Sequence, residues 1–133
     1  MDREVVWFIL QSIIYFLLGT LLGLVFLFVP DAASQDRIAL HVHMNLIGWM
    51  SMMIFGVGYH ILPRFSGRPV FSRKMMTVQF WLASAGMAGM TAGWLLRSFA
   101  VPAGNGILLA FGTLMYISIT LFVYNMLRTV KGA

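Results

Sequence analysis

The chain has 133 residues, 60% of them hydrophobic and only 10% charged, with a net charge of +5 and no cysteine. Soluble domains carry about 25% charged residues, so this composition excludes an ordinary soluble enzyme. The absence of cysteine excludes disulfides and thiolate metal sites.

Four long uncharged runs divide the chain, at 5–30, 38–63, 75–96 and 98–127. About 20 apolar residues cross the hydrocarbon core as a helix. Lipid offers backbone groups no partner, so runs of this length must be helical. The expected fold is therefore all-α, a single membrane domain of four transmembrane helices at about 5–29, 38–62, 75–96 and 106–127. The opening Met1-Asp2-Arg3-Glu4 lacks the positive region of a signal peptide, so the first span is expected to be retained.

The first span carries Gly19 and Gly23, and the third carries Gly86, Gly89 and Gly93. Small residues at this spacing allow close helix approach, or leave room for a flat prosthetic group. Pro102 and Gly104 precede the fourth span. Trp7, Trp81, Tyr59, Tyr124 and Trp94 fall near span ends, where an aromatic belt is expected.

Arg3, Arg64, Arg68, Arg73, Lys74, Arg128 and Lys131 lie on one side of these spans, and Arg37 and Arg97 on the other. The asymmetry puts both termini and the 63–74 loop in the cytoplasm of a bacterial-type inner membrane. A cationic inner rim then accounts for the net charge without nucleic acid.

The second span holds all three histidines. Ionisable groups inside a membrane are costly and by default mark a site. His41 and His43 project roughly 200° apart on a regular helix, so they cannot chelate one small ion together. They face opposite sides and serve two different sites. His60 lies roughly 25 Å further along the axis and completes neither within its own chain. A metal there would need ligands from other copies.

The stretch "HVHMNLIGWMSMMIFGVGYHILPRF" resembles the tenth helix of the catalytic subunit of heme–copper oxidases, particularly the C-type cytochrome oxidases and nitric oxide reductases. The shared features are His41-x-His43, Gly48-Trp49, Gly56 and the exit from Tyr59 to Pro63-Arg64. The following "SRKMMTVQFWLASAGMAG" looks like the next helix of that subunit. The resemblance implies that His41 ligates a high-spin, gas-reacting heme b and His43 a low-spin, electron-transferring one. Arg37 and Arg97 border this layer and suit heme propionates. Asn45, one turn after His41, would hold a ligand or propionate, or donate to a neighbouring helix.

The departures bear on function. The family uses further histidines on helices that this sequence lacks, so complete oxygen reduction by one chain is not expected. Proton pumping is not expected either, since no Asp, Glu or Lys lies mid-membrane. The family's twelve helices form three arcs of four, and a homotrimer of this chain would also supply twelve. His41 of one copy could then meet His43 of the next across a heme, with a respiratory-chain electron donor as a further partner. The expected role is electron transfer, or binding of nitric oxide, oxygen or carbon monoxide where one axial position stays open. Two other readings compete. Met44, Met50, Met52 and Met53 beside the histidines suit monovalent copper, which points to copper handling. A cofactor-free accessory subunit of a respiratory complex is the third.

Overall fold

The computed structural model describes residues 1–132, and its regular structure is entirely helical. Helix α1 spans Arg3–Phe28, a single 3-10 turn at Pro30–Ala32 follows, and α2 runs Gln35–Ser66. Helix α3 spans Arg73–Ser98 and α4 Ala103–Lys131.

Three of these, α1, α2 and α4, are long and apolar enough to cross a membrane. Helix α3 is as long as α1 but buries nine residues against four, including Gln79 and three glycines. Its longest contact is with α4, and it falls outside the three helices apolar enough to span. Outward-facing Leu27, Phe28, Leu109 and Tyr116 are each more than 70% exposed, a pattern suited to lipid rather than water.

Helix pairs run antiparallel. Along α1 and α2, Gly56 meets Phe8, Ser12 meets Met53, Gly48 meets Tyr15, and Gly23 meets His41. Along α3 and α4, Gly86 meets Met115, Gly89 meets Phe111 and Gly93 meets Leu108. Polar groups add to this second seam. Gln79 Nε2 donates to Ser118 Oγ (3.0 Å), and Ser118 Oγ donates to the Gln79 carbonyl (3.1 Å). Asn125 clamps Ser72 twice, accepting from its N–H (3.0 Å) and donating to its carbonyl (2.9 Å). Interhelical hydrogen bonds of this kind contribute about 0.6 kcal/mol each on average in a membrane. Helices α1 and α3 run parallel, joined by Arg73–Asp2 (2.8 Å), Thr77–Glu4 (2.7 Å) and Ser84–Gln11 (3.0 Å).

Helix α2 departs from the regular helix expected of it. Its α-helical start, Gln35–His43, gives way to a π-helical segment at Met44–Ser51, and α-helix resumes over Met52–Ser66. Side-chain donors brace the change of ladder. Asn45 Nδ2 donates to the His41 carbonyl (2.8 Å) and Ser51 Oγ to the Leu46 carbonyl (2.9 Å). Gly48, within the wide turn, lies against Tyr15, where a Cβ would come within 2.6 Å of the ring. π-segments of this kind concentrate at functional sites.

The helix also outlasts Pro63, beyond the end expected at residue 62. It closes at Gly67, whose φ of 63° is left-handed. Gly67 N–H donates to Arg64 O (3.2 Å) and Arg68 N–H to Pro63 O (3.0 Å), the paired bonds of a Schellman cap. No atom stands where a Gly67 side chain would go, so only backbone strain opposes substitution. Gly67→Ala is expected to lower stability by about 1–2 kcal/mol, read as a reduced thermal midpoint in detergent.

Tyr59 is not a lipid-facing belt residue. It is 2% exposed and packs edge-on against Phe122 with centroids 5.2 Å apart.

Candidate heme-ligand layer

The site is built where the first turns of α2 meet α1 on one side and α3 on the other. Ser34 caps α2 by accepting from Arg37 N–H, which starts the helix two turns before the histidine pair. His41 turns toward α1. Its Nδ1 lies 2.8 Å from the Gly19 carbonyl, and its ring fills the space over Gly23, where a Cβ would approach Cε1 to 2.7 Å. Phe26 closes the far side with centroids 6.0 Å away. The two glycines of α1 therefore make room for an imidazole and for the Asn45 amide as well as for a neighbouring helix.

His43 turns the other way. Its Nδ1 sits 2.7 Å from the Ala39 carbonyl of its own helix, and its ring lies 5.3 Å from that of Trp94 on α3. The two histidines face different neighbours, as their spacing requires.

A carbonyl oxygen can only accept. Both Nδ1 atoms must therefore carry the proton, leaving the lone pair on Nε2. Asn45 Nδ2 also lies 3.4 Å from His41 Nδ1, but both groups are donors in this tautomer. The productive bond of Asn45 is the shorter one to the His41 carbonyl, so it braces its own helix. A backbone-anchored Nδ1–H with a free Nε2 is the arrangement that orients an imidazole for an iron or other metal.

Arginines surround this layer. Arg97 pairs with Asp36 (Nη2–Oδ1 3.0 Å) and lies 4.9 Å over the Trp94 ring. Arg37 donates to the Ala32 carbonyl (3.3 Å) and stands 5.8 Å from the Phe99 ring. The Trp94 indole N–H is buried without an acceptor. An orphaned donor beside His43 and a guanidinium is satisfied by an acceptor such as a carboxylate, so the donor set fits a heme with its propionates.

Other candidates lie apart. His60 is half-buried at the opposite end of α2, and its carbonyl accepts from Arg64. Among the described residues, no group of three His, Cys, Asp or Glu side chains could hold a metal. The methionines near the histidines are dispersed, with Met44 and Met52 buried and Met50 47% exposed. Met52, Met76, Met87 and Met115 are core filling. Sequence reasoning missed Trp94 as a site residue and Asp36 as the partner of Arg97; only packing reveals either.

No family model matches the chain. Among characterised proteins, the cytochrome c oxidase subunit 1 homolog of Agrobacterium tumefaciens is 29% identical over 117 residues, 69% of this chain and 22% of that protein. Cytochrome c oxidase subunit 1 of Rhodobacter capsulatus is 42% identical over 48 residues, 35% of this chain and 9% of the relative. The relationship is to subunit I of the heme–copper oxidases. The cbb3-type cytochrome c oxidase subunit CcoN1 of Stutzerimonas stutzeri agrees, at 38% over 47 residues, 35% of this chain and 10% of the relative. This subunit I-like chain spans between about a tenth and a fifth of the length of these relatives. Its apolar helices and bacterial oxidase relatives make it a multi-pass membrane protein, consistent with a bacterial inner membrane.

Proposed function

We propose that the chain is a heme b-binding membrane cytochrome, with His41 and His43 as axial ligands from opposite faces of α2. The observation that carries this is the pair of backbone-anchored Nδ1 atoms, which present two Nε2 lone pairs from one helix turn. A bound heme supplies a one-electron couple and, with one axial position open, a site for a diatomic gas.

The protein's own residues do the rest. Gly19 and Ala39 hold the imidazole tautomers, and Gly23 leaves space for the His41 ring. Arg37, Arg97 and the Trp94 N–H offer donors to propionates at the same level. In this reading all four helices span the bilayer, both termini face the cytoplasm, and the histidine layer lies toward the outer side. Because the two imidazoles face apart, a closed homotrimer lets His41 of one copy share a heme with His43 of the next. Cyclic closure is the ordinary outcome of such heterologous pairing.

The test is the absorption spectrum of protein purified in mild detergent: oxidised, reduced, and reduced with carbon monoxide, with heme counted per chain. A sharp reduced α-band unmoved by carbon monoxide is expected for the shared, bis-histidine site, and makes electron transfer the function. A band shifted by carbon monoxide means an open position and makes gas binding the function. Protein free of heme after expression with ample heme supply would overturn the reading.

A further inference from the structure

The opposite end of the bundle holds a second, chemically different feature. Asp2 just before α1, Val5 of α1, Tyr59, His60, Pro63 and Arg64 of α2, the 67–70 loop, and Arg73 of α3 line an open pocket of about 390 Å³. Polar atoms make up most of its lining, unusual for a chain this apolar.

Its charge is unbalanced. Three guanidiniums, from Arg64, Arg68 and Arg73, stand against one carboxylate, Asp2, which Arg73 already engages at 2.8 Å. Arg64 and Arg68 have no carboxylate partner among the described residues. Arg64 donates to the His60 carbonyl, and Arg68 to the Val130 carbonyl (3.3 Å). A guanidinium has five N–H donors, so each keeps several for another acceptor. The Schellman cap at Gly67 fixes the backbone between these two arginines, which places both side chains at the same end of the bundle.

The pocket wall supplies an independent observation. Tyr59 is 2% exposed and its hydroxyl is buried with no hydrogen-bond partner. The side chain nearest to serving it is Asn125, whose amide already holds both backbone groups of Ser72 and keeps one N–H and one lone pair besides. A buried hydroxyl left unpaired is destabilising, and phenylalanine would fill the same volume without that penalty. An O–H donor, an imidazole and surplus guanidiniums together describe a receptor for a compact anion with several acceptor oxygens.

We propose that this pocket binds a phosphate group, either the headgroup of an anionic phospholipid or a free phosphate compound. Basic pockets between helices at the membrane surface hold anionic headgroups in this way. His60 thereby gains a role as a donor at the rim, separate from any iron or other metal. The proposal does not depend on the heme reading, because none of its residues belongs to the His41/His43 layer.

The experiment uses the full chain in neutral detergent, titrated with short-chain phosphatidylglycerol, short-chain phosphatidylcholine and inorganic phosphate, with binding and thermal midpoint both read. Phosphatidylglycerol is expected to bind and raise the midpoint while phosphatidylcholine does not. Competition by inorganic phosphate at similar concentrations assigns the site to free phosphate compounds, and its failure to compete assigns it to the lipid. Arg64→Gln with Arg68→Gln is expected to weaken binding by about tenfold or more. Lys74→Gln with Lys131→Gln removes the same charge outside the pocket and is expected to leave binding within about twofold. Tyr59→Phe is expected to leave the anion-free midpoint unchanged or raised while losing part of the anion's stabilisation. Equal losses from the two double variants would reduce the effect to general surface charge and overturn the proposal. So would binding of neither phosphatidylglycerol nor phosphate to the folded wild type.

Discussion

Replacing His43 with alanine is expected to convert a six-coordinate heme into one that binds carbon monoxide, and His41→Ala is expected to do the same. If one heme is shared between His41 of one copy and His43 of its neighbour, either substitution removes one axial bond of the same iron. The two variants then give matching spectra, and the double variant loses the heme. If instead each histidine holds a separate heme, each single variant loses about half the heme and the remaining bands differ between them. His60→Ala, at the far end of α2, is the control and leaves both spectrum and heme content unchanged. The reason for expecting large effects is geometric. Each imidazole is held at Nδ1 by a backbone carbonyl, Gly19 for His41 and Ala39 for His43, an anchorage that alanine cannot reproduce. Met44, a soft side chain next in sequence to His43, is buried in the core.

The second large effect concerns stability. Gly89→Ala is expected to destabilise the protein by about 1–3 kcal/mol through overpacking. A Cβ at Gly89 would overlap the Phe111 ring of the facing helix, which cannot withdraw without opening the α3/α4 seam. Gly112, one residue beyond Phe111 on α4, has no atom near its own Cβ position. Gly112→Ala is therefore expected to be neutral or to stabilise by up to about 1 kcal/mol, through helix propensity alone. The comparison is made by denaturant titration or thermal melting in detergent. A similar loss for both variants would show that the seam does not depend on close approach at Gly89.

The contrast between these glycines bears on what was legible beforehand. Both sit within apolar helical runs, and nothing local separates them. The glycine run 86, 89, 93 hinted at a packed face, and the structure places all three against α4. Gly19 and Gly23 carried the same hint, yet what lies over them is the Asn45 amide and the His41 ring. The polar ladder joining α1 to α3, from Asp2–Arg73 through Gln11–Ser84, pairs residues more than 70 positions apart and left no mark on periodicity.

The amino-acid order by itself determined the helical runs, their approximate limits, the cationic end and the opposed directions of His41 and His43. These follow from composition and from the fixed rotation per residue of a helix, which are local quantities. Only the tertiary structure decided which carbonyl holds each Nδ1, that α2 widens into a π-segment after His43, that Trp94 brings an orphaned N–H beside that histidine, and that Tyr59 is buried beside three arginines. Each depends on where a second helix stands. In this membrane fold that position is set by glycine contacts and a few polar bonds between distant residues, not by the apolar pattern along any one helix.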